Sequence, residues 1–141
     1  MSTVHVINIS GGKDSDTVLI KAQQRAARKR MILRYVFADT ENEHPWVYEH
    51  VETLERFFGI SIQRVKLDST AAIMRRRERL PGQWAEAGVP QAYIDRALEL
   101  LWPTGNAYLD LCLSRGMFAA GARRKFCTEE LKIRPADEQV I

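Results

Sequence analysis

Apolar positions recur along the chain in runs that switch between two periods. Val4, Val6, Ile7 and Ile9 form a short apolar run that predicts a buried first strand, with His5 a packed or edge residue rather than a ligand. Val18, Leu19, Ala22 and Ala26 follow at helical spacing and predict a helix from about Asp14 to Lys29, its basic end suited to the helix dipole. Ile32 to Ala38 is nearly all apolar, as a buried parallel strand requires. After a polar loop, Pro45 suits a first helical turn. Val47, Val51, Leu54 and Phe58 hold the helical period, and Gly59 supplies the stop. Ile60, Ile62, Val65 and Leu67 predict a third strand. The order strand, helix, strand, helix, strand implies an α/β fold with a parallel sheet and right-handed crossovers.

Beyond Leu67 the strand pattern stops. Ser69 or Thr70 is placed to cap a short helix through Arg79, with Pro81-Gly82 ending it. Helices are predicted over Pro90 to Leu101 and Asn106 to Ser114, separated by Pro103-Thr104-Gly105, with Cys112 on the apolar face of the second. The expectation is one domain over 1–141: a βαβαβ core at 1–68, a helical segment at 69–116, and a basic, cysteine-containing tail at 117–141.

Composition adds limits. With 141 residues, 45% hydrophobic and 28% charged, the chain is long enough for a real core. No apolar run reaches membrane-spanning length, and the N-terminus has no charged-then-apolar leader, so no membrane partner and a cytoplasmic location are expected. Two cysteines, Cys112 and Cys127, without a CxxC pair argue against a disulfide framework and against an iron–sulfur cluster built from this chain alone. The net charge of +3 hides three clusters: Arg25/Arg28/Lys29/Arg30, Arg75/Arg76/Arg77/Arg79 and Arg123/Arg124/Lys125. The first reads as a solvated helix face; the others leave a nucleotide or nucleic acid open as partner. Trp46, Trp84 and Trp102 read as core or lid packing rather than as base-stacking platforms.

The candidate chemistry sits in Ser10-Gly11-Gly12-Lys13-Asp14-Ser15. Two glycines let the backbone turn sharply and approach a ligand closely. The amides of a helix start bind anions, and Lys13 adds a positive charge. The turn is neither GxxxxGK[ST] nor GxGxxG. It reads as a phosphate cradle, against the alternative of a strand-to-helix turn that needs glycine for geometry alone. A second candidate is Cys127, set among Arg123, Arg124 and Lys125 near a helix start. Both features lower a thiol's pKa, and a reactive thiol and an inert one both fit.

With SGGKDS, FADTENEHP and RRKFCTEELK read together, the chain resembles the phosphoadenosine phosphosulfate (PAPS) reductase family of the PP-loop, adenine nucleotide alpha-hydrolase-like superfamily. The likeness covers almost the whole chain. It implies a three-layer α/β/α fold with a small parallel sheet, and a nucleotide bound at the strands' carboxyl ends. By this resemblance Ser10, Gly11, Gly12, Lys13, Asp14 and Ser15 hold phosphates. Phe37, Ala38, Asp39 and Thr40 lie by adenine and ribose, and Arg123, Arg124 and Lys132 neutralise a phosphate or sulfate. Arg75 to Arg77 line the same cleft. The implied ligand is ATP or PAPS/adenylyl sulfate. Mg²⁺ would be held at Asp14 and Asp39, and Lys13, Asp14 and Cys127 would be the catalytic candidates. Two features depart from the family. The reductases' C-terminal ECGLH-like cysteine is absent, and Phe126 stands where iron–sulfur members have a first cysteine. An enzyme acting at the phosphate or sulfate end of the nucleotide, a non-catalytic nucleotide-binding module, and a sulfur-transfer component acting on nucleic acid are the readings these features leave. The family's fourth strand, paired with strand one, would only be starting at Ile141. Strand one is therefore expected to present an open edge, covered by a second copy, a partner chain or Gln139-Val140-Ile141.

Overall fold

The computed structural model describes residues 3–117 and 126–140. Strands β1 (Val4–Ile9), β2 (Ile32–Ala38) and β3 (Ile62–Val65) form a parallel sheet in the order β1-β2-β3. Ile9 pairs with Phe37, and Ala38 with Val65, so the carboxyl ends of all three strands lie along one rim. Helices α1 (Lys13–Lys29) and α2 (Pro45–Phe58) connect them. Leu19 of α1 and Val51 and Leu54 of α2 are buried against Ile9, Phe37 and Ile62, so both crossovers lie on one face, as crossovers of one hand require.

The period-two alternation of β2 splits the core. Phe37 faces α1 and α2, whereas Val36 and Ala38 face the other side, where they meet Val65 and Val140. Val140 belongs to α7 (Arg134–Val140), which continues from α6 (Phe126–Thr128) through a π-helical stretch, Glu129–Ile133. This segment is helical through Val140, and Ile141, where a fourth strand is expected to start, lies outside the described residues. The carbonyls of Gln139 and Val140 accept hydrogen bonds from Gln63 and Arg34 at 3.2 Å each, which pins the end of α7 onto β3 and β2. Gln139 and Val140 thus cover the sheet face beside β2 and β3, not the edge of β1. That edge pairs with no strand among the described residues. No described helix is long and apolar enough to cross a membrane.

The helical segment comprises α3 (Thr70–Glu86), α4 (Gln91–Leu100) and α5 (Ala107–Arg115). The expected stop at Pro81-Gly82 is overturned, because α3 runs through both residues. Leu80 is buried and Trp84 packs on the same cluster of Ile73, Ile94 and Leu101. Each such side chain returned to water would cost roughly 1.5–3 kcal/mol, and the two together outweigh the roughly 3 kcal/mol penalty of an interior proline. Trp46 and Trp102 also depart from expectation, being 74% and 49% exposed. Arg77 lies 3.8 Å over the Trp102 ring.

Three carboxylates tie these parts together. Glu55 of α2 accepts bonds from both Arg64 guanidinium nitrogens and from the Ile62 amide, all at 2.7 Å. The Arg64 pairing holds its carboxyl below the usual range, helped by that amide. Glu41 is held low first by the Ala107 amide and then by Lys66, and Asp68 by the amide and hydroxyl of Thr70. Depressed carboxyls contribute stability that is complete above their unfolded values near 4, and that stability is lost as pH falls through the folded values. The urea midpoint should therefore stay level from about pH 7 to 5 and fall steeply below about pH 4. Glu55→Gln should flatten that fall; an unchanged acid limb would remove Glu55 from the set.

Candidate functional site

The turn after β1 is built by two glycines with different reasons to be glycine. Gly11 has φ +74°, where L-residues are strained. A Cβ there would also lie 2.6 Å from Val47 Cγ1, so the turn is pressed against the first turn of α2. Gly12 is the N-cap of α1 at φ −103°, ψ 157°, a conformation open to any residue. A Cβ on Gly12 would meet nothing nearer than Ser10 Oγ at 3.7 Å. No side chain caps α1, so its first amides stay open to a ligand. Ser15 spends its hydroxyl proton on the Gly12 carbonyl at 2.7 Å. Ser10, Lys13 and Asp14 are exposed, and neither Lys13 nor Asp14 has a partner among the described residues.

Beside this turn, β2 ends in a loop organised by its own acids. Asp39 donates its amide to the Val65 carbonyl at 2.8 Å. Its Oδ1 accepts from the Tyr48 hydroxyl and the Glu41 amide, both at 2.8 Å. Burial, and then the bond to Asp39, push the Tyr48 phenol up to about 12. Thr40, buried, donates to Glu43 at 3.1 Å, and Glu43 in turn pairs with Lys132 at 3.3 Å. Glu43 thus links Lys132 to Thr40 of the β2 loop. The side chains of Phe37 and Ala38, expected beside adenine and ribose, are both buried, so only their backbone is left to face that rim. The Phe37 side chain is core, edge-on to Tyr48 at 5.9 Å, and Ala38 is buried under α7. Arg123 and Arg124 lie outside the described residues.

Cys127 is half-buried near the start of α6, packed with Phe126 and Tyr108 on the cluster of Ala107, Leu111 and Leu131. The arginines of α3 part company. Arg75 lines a cavity of about 510 Å³ beyond β3, together with Lys66, Asp68 and Ser69. Arg76 bonds the Ser114 carbonyl at 3.3 Å and Arg77 the Leu98 carbonyl, so both brace helices, and Arg76 also lines a separate, apolar cavity with Leu80 and Trp84.

Several residues that hold the site together have no local signature. Glu41, at φ +55°, bonds Lys66 at 3.0 Å through Oε1 and the Ala107 amide at 2.6 Å through Oε2. Its carbonyl accepts from Asn106 at 2.9 Å. One residue thereby joins the β2 loop, β3 and the start of α5. Only Asn106 could have been anticipated, as an N-cap ahead of a helical run; it does cap Leu109 at 2.9 Å. Asp16 and His50, 2.7 Å apart, brace α1 against α2 beneath the turn.

Asp14 is exposed and unpartnered, and Asp39 keeps Oδ2 without a hydrogen bond among the described residues. Mg²⁺ takes one or two carboxylates and completes its shell with phosphates and water. No three His, Cys, Asp or Glu side chains gather as a metal site among the described residues, so a cation here would rely on its ligand's oxygens.

No family model and no solved structure matches the chain. It is similar to an uncharacterised 37.8 kDa protein of the gpa 5′ region of Escherichia phage 186, with 35% identity over 99% of this chain and 43% of the relative. It is also similar to an uncharacterised nin-region protein, ORF290, of Escherichia phage lambda, with 28% identity over 94% of this chain and 41% of the relative. The chain thus spans less than half the length of these two relatives.

Proposed function

We propose that this protein binds an adenine nucleotide by its phosphates at Ser10–Ser15 and acts at the phosphate or sulfate end of ATP or a sulfonucleotide. The observation that carries this reading is Gly12. Its backbone needs no glycine and its Cβ position is open, so a ligand's close approach to the uncapped start of α1 is the physical use left for it. Lys13 would neutralise the anion, and Lys132, tied through Glu43 to the β2 loop, would add charge from the opposite side. Mg²⁺ at Asp14 and Asp39 would supply charge neutralisation of the phosphates. Catalysis would be mostly orientation and charge stabilisation. The PAPS reductase-like, PP-loop assignment belongs to this proposal, as does a second copy or partner chain on the open edge of β1.

One observation favours a binding module without turnover. Cys127 packs against the apolar cluster of Ala107, Leu111 and Leu131 and is only partly exposed. Thermal shift with ATP, AMP, adenylyl sulfate and PAPS, with and without Mg²⁺, tests the binding. A saturating ligand should add about 2–3 kcal/mol, seen as a rise of several degrees, and Gly12→Ala should abolish the rise. No rise with any of the four would refute the proposal. For a ligand that does bind, release of pyrophosphate, AMP, sulfite or adenosine bisphosphate marks the enzyme. Its absence, with equal binding by Cys127→Ser, marks the module.

A further inference from the structure

We infer that the cavity of about 510 Å³ beyond β3 binds a phosphate monoester of a small hydroxylated molecule, its phosphoryl group held by Ser69, the first amides of α3 and Arg75. β2 lies between β3 and β1, so this site stands roughly 10 Å or more from the glycine turn. The inference holds whether or not that turn takes a nucleotide.

The start of α3 is the first observation. Ser69 is the N-cap of this helix, a position where serine turns its hydroxyl back to accept an amide of the first turn. Here it makes no such cap, and its backbone lies at φ −96°, ψ 5° rather than in the extended region. Asp68 takes the Thr70 amide at 2.9 Å instead. The amides of Ala71 and Ala72 have no partner among the described residues. Both residues line the cavity, and a helix of 17 residues presents partial positive charge at its start.

Ser69 itself is the second observation. The residue is 5% exposed, and its hydroxyl bonds to nothing among the described residues. A hydroxyl withdrawn from bulk water is destabilising until something bonds it. This one is not sealed in, because Asp16 Oδ1 is the only fully enclosed side-chain polar atom without a partner among the described residues. Its opening is therefore onto the cavity that Ser69 lines.

Charge is the third. Of the cations on the wall, Lys66 pairs with Glu41, Arg115 with Glu130, and Arg134 with Glu130 and Glu138. Only Arg75 on this wall has no partner among the described residues. Ala71, Ala72 and Arg75 stand at i, i+1 and i+4, so the free guanidinium shares a helix face with the two open amides. Guanidinium, hydroxyl and helix-start amides are the donors that bind a phosphoryl group. The rest of the wall carries Asp68, Glu130 and Glu138, carboxylates that repel a second phosphate but accept from hydroxyls. That combination favours a phosphorylated sugar or polyol over a polyphosphate, and the cavity has the size of small-molecule sites.

The test is an amide NMR titration of the 141-residue chain with ribose-5-phosphate and, separately, with inorganic phosphate. The Ala71 and Ala72 amides should shift saturably, and the ester should bind about fivefold or more tighter than the inorganic ion, through its hydroxyls. Ser69→Ala and Arg75→Gln should each weaken the ester about tenfold or more. Neither side chain has a bond to lose in the free protein, so both variants should melt with the parent. Gly12→Ala should leave the α3 shifts unchanged, which separates this site from the glycine turn. No saturable shift, shifts confined to the Lys13 and Asp14 amides, equal affinity for the ester and the inorganic ion, or undiminished binding by Ser69→Ala or Arg75→Gln would each overturn the inference.

Discussion

Gly11→Ala should destabilise the protein by about 2–5 kcal/mol, whereas Gly12→Ala, one residue away, should change stability by no more than about 1 kcal/mol. The first figure has two sources. An L-residue held at φ +74° costs roughly 1–2 kcal/mol. Forcing a Cβ to within 2.6 Å of Val47 Cγ1 adds an overpacking cost of roughly 1–3 kcal/mol. Neither applies to Gly12. There a poorer N-cap residue is offset by the reduced entropy of the unfolded chain. Denaturant unfolding of the two variants checks the difference. Pairing Gly11→Ala with Val47→Ala separates the sources, since the smaller partner relieves the clash and leaves the backbone strain. A favourable coupling of about 1 kcal/mol or more is expected; additive losses would mean that the turn does not press on α2. The same pair separates fold from function. Gly11 serves the architecture and Gly12 serves the proposed ligand, so of the two glycines only Gly12 should give a variant that binds nothing yet melts like the parent.

What could be read in advance follows the reach of each signal. β2 and α2 match their expected bounds because their markers are local: an unbroken apolar run, proline in a first turn, glycine after a last one. Pro81 misleads for the complementary reason. Its penalty is local, but the contacts of Leu80 and Trp84 that override it come from α4, beyond the view of a short window. Trp46 shows the opposite error, for a large ring was assigned to packing when its helix face points outward. Of the site, the glycine turn was legible because its chemistry lies in six consecutive residues. The Glu41 junction was not, because its partners lie 25 and more residues away and no pattern in the chain links them.

That junction depends on a residue further out, and Asp110→Ala should cost about 1–3 kcal/mol. Asp110 is 5% exposed and takes three hydrogen bonds. The Thr104 amide and hydroxyl reach Oδ1 at 2.7 Å each, and the Gly105 amide reaches Oδ2 at 3.3 Å. Alanine would take the acceptor from three donors on exposed Thr104 and Gly105, each at roughly 1–3 kcal/mol if shut off from water and less here, where water can replace the carboxylate. Asn would keep one acceptor oxygen and should cost about half as much. The effect should travel along a defined path. Thr104 Oγ1 accepts the Asn106 amide at 3.1 Å, Asn106 bonds the Glu41 carbonyl, and Glu41 holds Lys66 and the Ala107 amide. Releasing the turn between α4 and α5 should therefore loosen the start of α5 from the loop that carries Asp39. Hydrogen exchange gives the spatial readout, with faster exchange at the Thr104, Gly105 and Ala107 amides and little change at Ile62, which Glu55 holds independently. Uniformly faster exchange would assign Asp110 to global stability alone. Faster exchange confined to 104–107 would make it the residue that seats the helical segment against the candidate site.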